Sequence, residues 1–354
     1  MKQYKELLQD ILDKGIKKED RTGTGTISMF GYQFRHKMSD GFPMITTKHV
    51  SLKNIQSELI WFLQGRTDLR WLLEKGNTIW VGDAYKRYEQ NWLKENPPFA
   101  GPYLDPCLSR EEFIDQIKTD DEFDEQWGEL GKIYGSQWRN WGAEIVYGQG
   151  ESMLHSGVDQ IANLINELKT NPDSRRLMVN AWNVAELDMM ILPPCHYGFQ
   201  VYTRELSLEE RSHLFNKSYN PSGNIYTHNQ YDENDISKRA ISLMWNQRSV
   251  DTGLGLPYNI ASYGLLLEIL AKTVNIVPDE LIGNLGDCHI YLNQIEGIKE
   301  QLTREPYPLP KLQFNPIFLA NIEHKGFDEA IEGEVNFKLI DYKYHPKINL
   351  PLSN

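Results

Sequence analysis

The stretch NIASYGLLLEILAKTV, Asn259 to Val274, is apolar on nearly every side. A helix at a protein surface shows one apolar stripe, whereas a helix apolar all round has to be covered on all sides. The stretch therefore predicts a central buried helix, and the rest of the chain has to supply what covers it. Working outward, Tyr4, Leu7, Leu8, Ile11 and Leu12 recur at helical spacing, and that helix ends near Gly15. Leu52, Ile55, Leu59, Phe62 and Leu63 mark a second amphipathic helix. Val158, Ile161, Leu164, Ile165 and Leu168 mark another, which stops at TNPDSRR. RTGTGTISMFGYQFR reads as a turn followed by a strand, and further strands are expected at 176–182, 196–203 and 240–246. A further helix follows His289, and VNFKLIDYKY alternates near the C-terminal end. Helices and strands intermix without a regular βαβ rhythm, which predicts an α+β fold. Two stretches differ in character. Residues 85–130 read as a small, partly helical insertion, and residues 204–238 as a polar excursion at a hairpin tip.

The chain has 354 residues, 40% of them hydrophobic, enough for a large buried core. Its formal net charge of −12 argues against nucleic-acid binding as a main function and against anionic membranes. Three cysteines, Cys107, Cys195 and Cys288, are odd in number and widely spaced, which predicts free thiols and a reducing compartment. MKQYKELLQDILDKG has the spacing of a helix and not the apolar run of a signal peptide, and no stretch reaches transmembrane length. The expectation is a cytoplasmic protein.

LPPCHYGFQVY, Leu192 to Tyr202, fixes a thiol behind two prolines at the mouth of a strand. Prolines restrict the backbone, so Cys195 is held rigidly. A buried free cysteine often serves as a small hydrophobe, while a nucleophile needs its thiolate stabilised by nearby cations. Arg21 in EDRTGTGT, Arg175 and Arg176 in DSRRL, and Arg248 in NQRSVDTGLGLPYN stand in polar turns among small residues. Guanidinium forks in such settings suit a phosphate dianion. TGTGT is not followed by Gly-Lys-Ser/Thr, so it is no triphosphate loop. Cys195-His196 and Cys288-His289 lack the close spacing of zinc ligands, and no metal is expected.

Taken in order, DRTGTGT, GFPMITTK, SELIWFLQG, TIW, YGSQWRNW, DSRRLMVNAWN, LPPCH, QRSVDTGLGLPYNIASYGLL and LGDCHIYLNQ resemble the thymidylate synthase family over nearly the whole chain. The resemblance implies a single catalytic domain, 1–354, with a large mixed sheet flanked by helices. It implies methylation of dUMP at C5, with 5,10-methylenetetrahydrofolate giving the carbon and the hydride. Cys195 would add to C6 of uracil, Glu58 would be the general acid and base, and Tyr134 would assist loss of the C5 proton. Arg21, Arg175, Arg176, Arg248 and Ser249 would hold the phosphate, the Arg175–Arg176 pair reaching the neighbouring site of a homodimer. Asn259 would read the base, His289 and Tyr291 would bind the 3′-hydroxyl, and His196 and Gln200 would order the site. For folate the resemblance implies Ile79, Trp80, Leu192, Asp251, Leu254, Gly255 and Tyr258, with Lys48 near the glutamate tail.

Four places depart from the family pattern: His49, Ser51, Asp83, and a polar ending, Leu352-Ser353-Asn354, where the family has a small apolar one that closes over the folate. A pyrimidine hydroxymethylase would share the thiol addition and the folate but let water capture the methylene. Taken from the residues alone, Glu58 could be a solvated helix carboxylate, Tyr134, Trp80 and Tyr258 core aromatics, His196 a core histidine, and Asn259 a turn or cap residue.

Overall fold

The computed structural model describes residues 1–354 except 21, 97–105, 149–150, 156, 219–225, 334 and 354. Arg21 and Asn354 thus lie outside the described residues, as do parts of both insertions. The chain divides into two compact units. A sheet unit comprises Met1–Val50, Ala162–Val179 and His196–Pro351, and a helical unit comprises Ser51–Ile161, Asn180–Cys195 and Leu352–Asn354.

In the sheet unit, strands β1 (Ile16–Lys18) and β2 (Thr26–Lys37) follow helix α1 (Lys2–Lys14). The helical unit then supplies α2 (Leu52–Leu63), α3 (Leu69–Glu74), α4 (Val81–Glu95), α5 (Arg110–Thr119), α6 (Asp121–Trp127), α7 (Tyr134–Asn140) and the antiparallel hairpin β3 (Glu144–Gly148) and β4 (Glu151–His155). After α8 (Gln160–Thr170) come β5 (Met178–Asn180), β6 (His196–Glu205), α9 (Leu208–Ser218), α10 (His228–Glu233), β7 (Arg239–Asp251), α11 (Leu256–Thr273) and β8 (Val277–Tyr291). The chain continues through α12 (Ile295–Thr303), β9 (Lys311–Gln313), α13 (Pro316–His324), α14 (Phe327–Glu332) and β10 (Lys338–Ile340).

Six strands form one sheet in the order β1-β2-β8-β7-β6-β5. The β7–β8 pair is parallel, and β2–β8 and β6–β7 are antiparallel, so the sheet is mixed. Helix α11 packs on β7 and β8 and is the expected central helix. Leu256, Ile260, Leu265, Leu266, Leu267, Ile269 and Leu270 are all buried along it, and Pro257 sits in its first turn, where a missing N–H costs nothing. Tyr263 of α11 stacks on Trp245 of β7 at 5.3 Å between ring centroids. Truncating one of these leucines to alanine would cost about 2–5 kcal/mol.

Several expectations change. The 176–182 strand is only Met178–Asn180, and the 240–246 strand runs on to Asp251. The alternating C-terminal stretch holds a strand of three residues, Lys338–Ile340. Strand β8 was not expected at all, because VPDELIGNLGDCHIY carries two glycines, a proline and three acids. Both glycines serve close approach. A Cβ at Gly283 would lie 2.5 Å from Trp245 ring atoms, and one at Gly286 would lie 2.8 Å from the Arg248 carbonyl oxygen.

The two insertions are locally well built. In the first, Tyr88 packs against Phe113 and Trp127, each at 5.3 Å between centroids. In the second, Arg211 is buried and donates to Asp232 at 2.6 Å and to the Ile236 carbonyl at 2.7 Å. The second insertion joins two paired strands, β6 and β7, and contains helices α9 and α10 where polar turns were expected.

Candidate active site

Four candidates form a connected row within the helical unit. Ser51, one of the departures, caps α2: its Oγ accepts from the Asn54 N–H at 3.3 Å. On that helix Glu58 accepts a hydrogen bond from Trp80 Nε1 at 2.9 Å. Burial pushes the Glu58 carboxyl up to about 7, against the pull of the Trp80 bond. Trp80 lies edge-on to Tyr134, 6.1 Å between centroids, and both rings are buried. Tyr134 opens α7, and its Oη accepts the backbone N–H of Cys195 at 2.8 Å. The nucleophile candidate is therefore held from the backbone as well as by its prolines. Leu192 is half-buried and Ile79 is exposed.

Sequence reasoning missed Asn77, which ties the Ile79–Trp80 turn to α2. Its Nδ2 donates to the Asn54 carbonyl at 3.1 Å and to Ser57 Oγ at 3.0 Å, and its Oδ1 accepts from the Ile79 N–H at 3.0 Å. Asp83 falls in the first turn of α4, where a carboxylate complements the helix dipole.

The sheet unit gathers the other candidates at one end of its sheet. Parallel register sets Ser249 opposite Asp287 and Asp251 opposite His289. The antiparallel partner sets Gln247 opposite His196, the first residue of β6. His196 Nδ1 lies 2.8 Å from Tyr263 Oη. Burial lowers the His196 pKa to about 3, so its ring is neutral at working pH and orders its surroundings rather than carrying charge.

Asn259 stands in the first turn of α11, four residues past the N-cap, Gly255, so it is not the cap. Its Oδ1 accepts from Gln247 Nε2 at 3.1 Å. Gln247 is itself buried, donates to the Ser249 carbonyl at 3.0 Å, and accepts from Trp245 Nε1 at 3.2 Å. That arrangement fixes the asparagine's amide orientation and directs its Nδ2 donors elsewhere. Gln247 was missed, although a glutamine on the buried parity of a strand pattern is a signal for it.

Lys48, expected near a glutamate tail, is buried and donates from Nζ to the Gly253 carbonyl at 2.5 Å. Burial lowers it to about 8, opposed by Asp251. Asp251 accepts from the Leu254 N–H at 2.9 Å, and desolvation nevertheless raises its pKa. Leu254, Gly255 and Tyr258 follow, half-buried, on the way into α11. His289 is buried with its Nδ1 3.1 Å from the Asp287 carbonyl, and its ring meets Tyr291 at 5.2 Å. Arg248, Arg175 and Arg176 are exposed, and Ser249 is half-buried. Arg175 lines a cavity of about 360 Å³ with Gln200, Tyr202 and Arg239. Asp20, just before Arg21, accepts from the Thr22 and Gly25 N–H groups at 2.9 and 2.7 Å. His49 packs on Tyr344 at 4.7 Å. Among the described residues no cluster of three or more His, Cys, Asp or Glu is placed to hold a metal, and no helix is long and apolar enough to cross a membrane.

The thymidylate synthase family profile matches residues 2–354. This chain belongs to the thymidylate synthase family. It is 40% identical over 349 residues to the thymidylate synthase of Mesoplasma florum, covering 98% of each chain. The thymidylate synthase of Mycoplasma mobile is 39% identical over 348 residues, again 98% of each. That of Listeria innocua is 37% identical over 366 aligned positions, spanning 100% of both. The shared name supports the synthase reading and not the hydroxymethylase alternative, and family membership implies a folate co-substrate.

Proposed function

We propose that the protein converts dUMP to dTMP with 5,10-methylenetetrahydrofolate, releasing dihydrofolate. One contact carries the assignment of roles: the Cys195 N–H to Tyr134 Oη bond, which ends the row that Glu58 begins. The Cys195 thiolate adds to C6 of uracil, and C5, now enolate-like, attacks the folate methylene carbon. Tyr134 assists loss of the C5 proton, the folate nitrogen leaves, and the folate hydride reduces the exocyclic methylene. Cys195 is then expelled. Glu58, held near a pKa of 7, can both give and take a proton close to neutrality.

Arg21, Arg175, Arg176, Arg248 and Ser249 hold the phosphate. Asn259 reads the base, ordered by Gln247, and His289 and Tyr291 take the 3′-hydroxyl. His196 and Gln200 order the site. The folate lies on Ile79, Trp80, Leu192, Leu254, Gly255 and Tyr258, with Asp251 accepting from its pterin N–H groups and Lys48 supporting Asp251. No metal enters. Residues 1–354 act as one catalytic domain carrying the insertions 85–130 and 204–238, in the cytoplasm, where the free thiol of Cys195 survives.

We read the active form as a homodimer with Arg175 and Arg176 contributed to the neighbouring site. One face of the sheet supports this. Tyr202 and Met178 are exposed, and Asn246, Asn284 and Gln33 form a hydrogen-bonded ladder across three strands at 3.1 and 3.0 Å. Inactive Cys195→Ser chains mixed with inactive Arg175→Ala chains should regain activity in hybrid dimers. A fully active monomer in sedimentation would refute the sharing. The reaction itself is tested by supplying dUMP and methylenetetrahydrofolate. Dihydrofolate should appear one-for-one with dTMP, and a hydroxymethyl product with tetrahydrofolate would overturn the reading.

A further inference from the structure

The carboxylate of Glu186, in the segment WNVAELDMM, has no part in the reaction as assigned above. The residue is 6% exposed. Lys132 Nζ donates to its Oε1 at 2.5 Å, and Gln137 Nε2 and Asn183 Nδ2 donate to its Oε2 at 2.7 and 2.9 Å. Desolvation pushes its pKa up, but the bonds from Gln137, Lys132 and Asn183 and the Lys132 charge together hold it below the usual carboxylate range. It is a buried charge with three donors committed to it.

The positions of those donors matter. Lys132 and Gln137 bracket Tyr134, one just before α7 and one inside it. Asn183 and Glu186 open the segment that leads from β5 to Cys195. That segment is laced to residues 130–137 at further points. The Ile191 N–H donates to the Leu130 carbonyl at 3.0 Å, and Gly131 bridges Met190. Gly131 has φ of 81°, and a Cβ there would lie 1.9 Å from the Met189 carbonyl oxygen, so only glycine permits the approach. The lacing ends at Cys195, whose N–H meets Tyr134 Oη. The backbone contacts bring the two segments together. Glu186 alone grips both sides of Tyr134, and so sets where the first turn of α7 puts the phenol.

We propose that Glu186 is a positioning residue for the nucleophile, acting through Tyr134. Glu186→Gln would turn an amide toward an ammonium and two amide donors, and it cannot accept from all three. The first turn of α7 then shifts, and the bond at 2.8 Å between Cys195 and Tyr134 weakens. The loss falls on the chemical step, because the groups assigned to nucleotide binding, Asn259, Arg248 and His289, stand on other elements. The inference rests on Cys195 as nucleophile with Tyr134 beside it, and that underlying reading fails by a different result, turnover by Cys195→Ser.

The test is a double-mutant cycle on kcat and on KM for dUMP, with wild type, Glu186→Gln, Tyr134→Phe and the double variant. Glu186→Gln should lower kcat by about 10²-fold, the effect of a misplacement on the order of 1 Å. Its KM for dUMP should stay within about twofold, and the double variant should match Tyr134→Phe within about twofold, because the two residues act as one unit. Losses that multiply, or a rise in KM in place of the fall in kcat, would overturn the proposal. If Glu186→Gln does not fold, Lys132→Met enters the same cycle: it removes the ammonium and keeps both amide donors on the carboxylate. The same non-additivity with Tyr134→Phe is expected, and multiplying losses would refute it equally.

Discussion

Two carboxylates, one in each unit, reach the same pKa by the same cause and differ in everything else. Glu58 on α2 and Glu268 on α11 are both pushed up to about 7 by burial. Glu58 accepts from Trp80 and begins a row that runs through Tyr134 to Cys195. Glu268 sits on the central helix among buried leucines, and the charge acting on it is Lys272, one turn further along. A perturbed pKa therefore reports desolvation. What makes a proton useful is the set of groups within reach of it.

That contrast can be broken in three places. Glu58→Gln should cause the largest loss, at least about 10²-fold in kcat, as for removal of a general acid or base. Glu58 is protonated below its pKa of about 7 and ionised above it, so the parent's pH–rate profile should bend near neutrality. The amide variant should lose that bend. A kcat within experimental error of the parent would put Glu58 in the same class as Glu268.

Asn259→Asp comes next. Gln247 already donates to the Asn259 carbonyl oxygen, so the amide keeps its donors for uracil O4. An ionised aspartate has no donor to offer there and suits the amino group of cytosine. The ratio of kcat/KM for dUMP over dCMP should fall about tenfold or more, from a mismatched buried pair worth roughly 1–3 kcal/mol. An unchanged ratio would leave Asn259 a structural residue of α11.

Glu268→Gln should leave kcat alone and change stability. Its folded pKa of about 7 lies above the ordinary 4.5, so the folded state binds the extra proton between those values. Stability from this group is fully present below pH 4.5 and is lost as pH rises through 7. The variant should match the parent in acid and exceed it at pH 8 by on the order of 2–3 kcal/mol. Melting curves at the two pH values decide it, and a loss of kcat would mean that Glu268 reaches the chemistry.

The central helix was legible because apolar residues on every side admit one placement. Cys195 was legible because prolines fix a backbone whatever surrounds it. Strand β8 was not, because Gly283 and Gly286 look like turn residues until Trp245 and the Arg248 carbonyl are known to need their space. Gln247, Asn77 and Glu186 escaped for a related reason. Each acts through partners 12, 23 and 49–54 positions away, and nothing local in the sequence marks a long-range hydrogen bond. The departures at Ser51 and Asp83 have local uses at the starts of α2 and α4 that a comparison of ligand positions passes over.

The account stands most directly on the thiol at the end of the row. Wild-type protein and Cys195→Ser should be compared for dTMP formation and for thermal melting under the same conditions. The account predicts a serine variant that melts as the parent does and makes no dTMP, since a serine hydroxyl beside no general base is a poor nucleophile toward C6. Undiminished dTMP formation by that folded variant would contradict it.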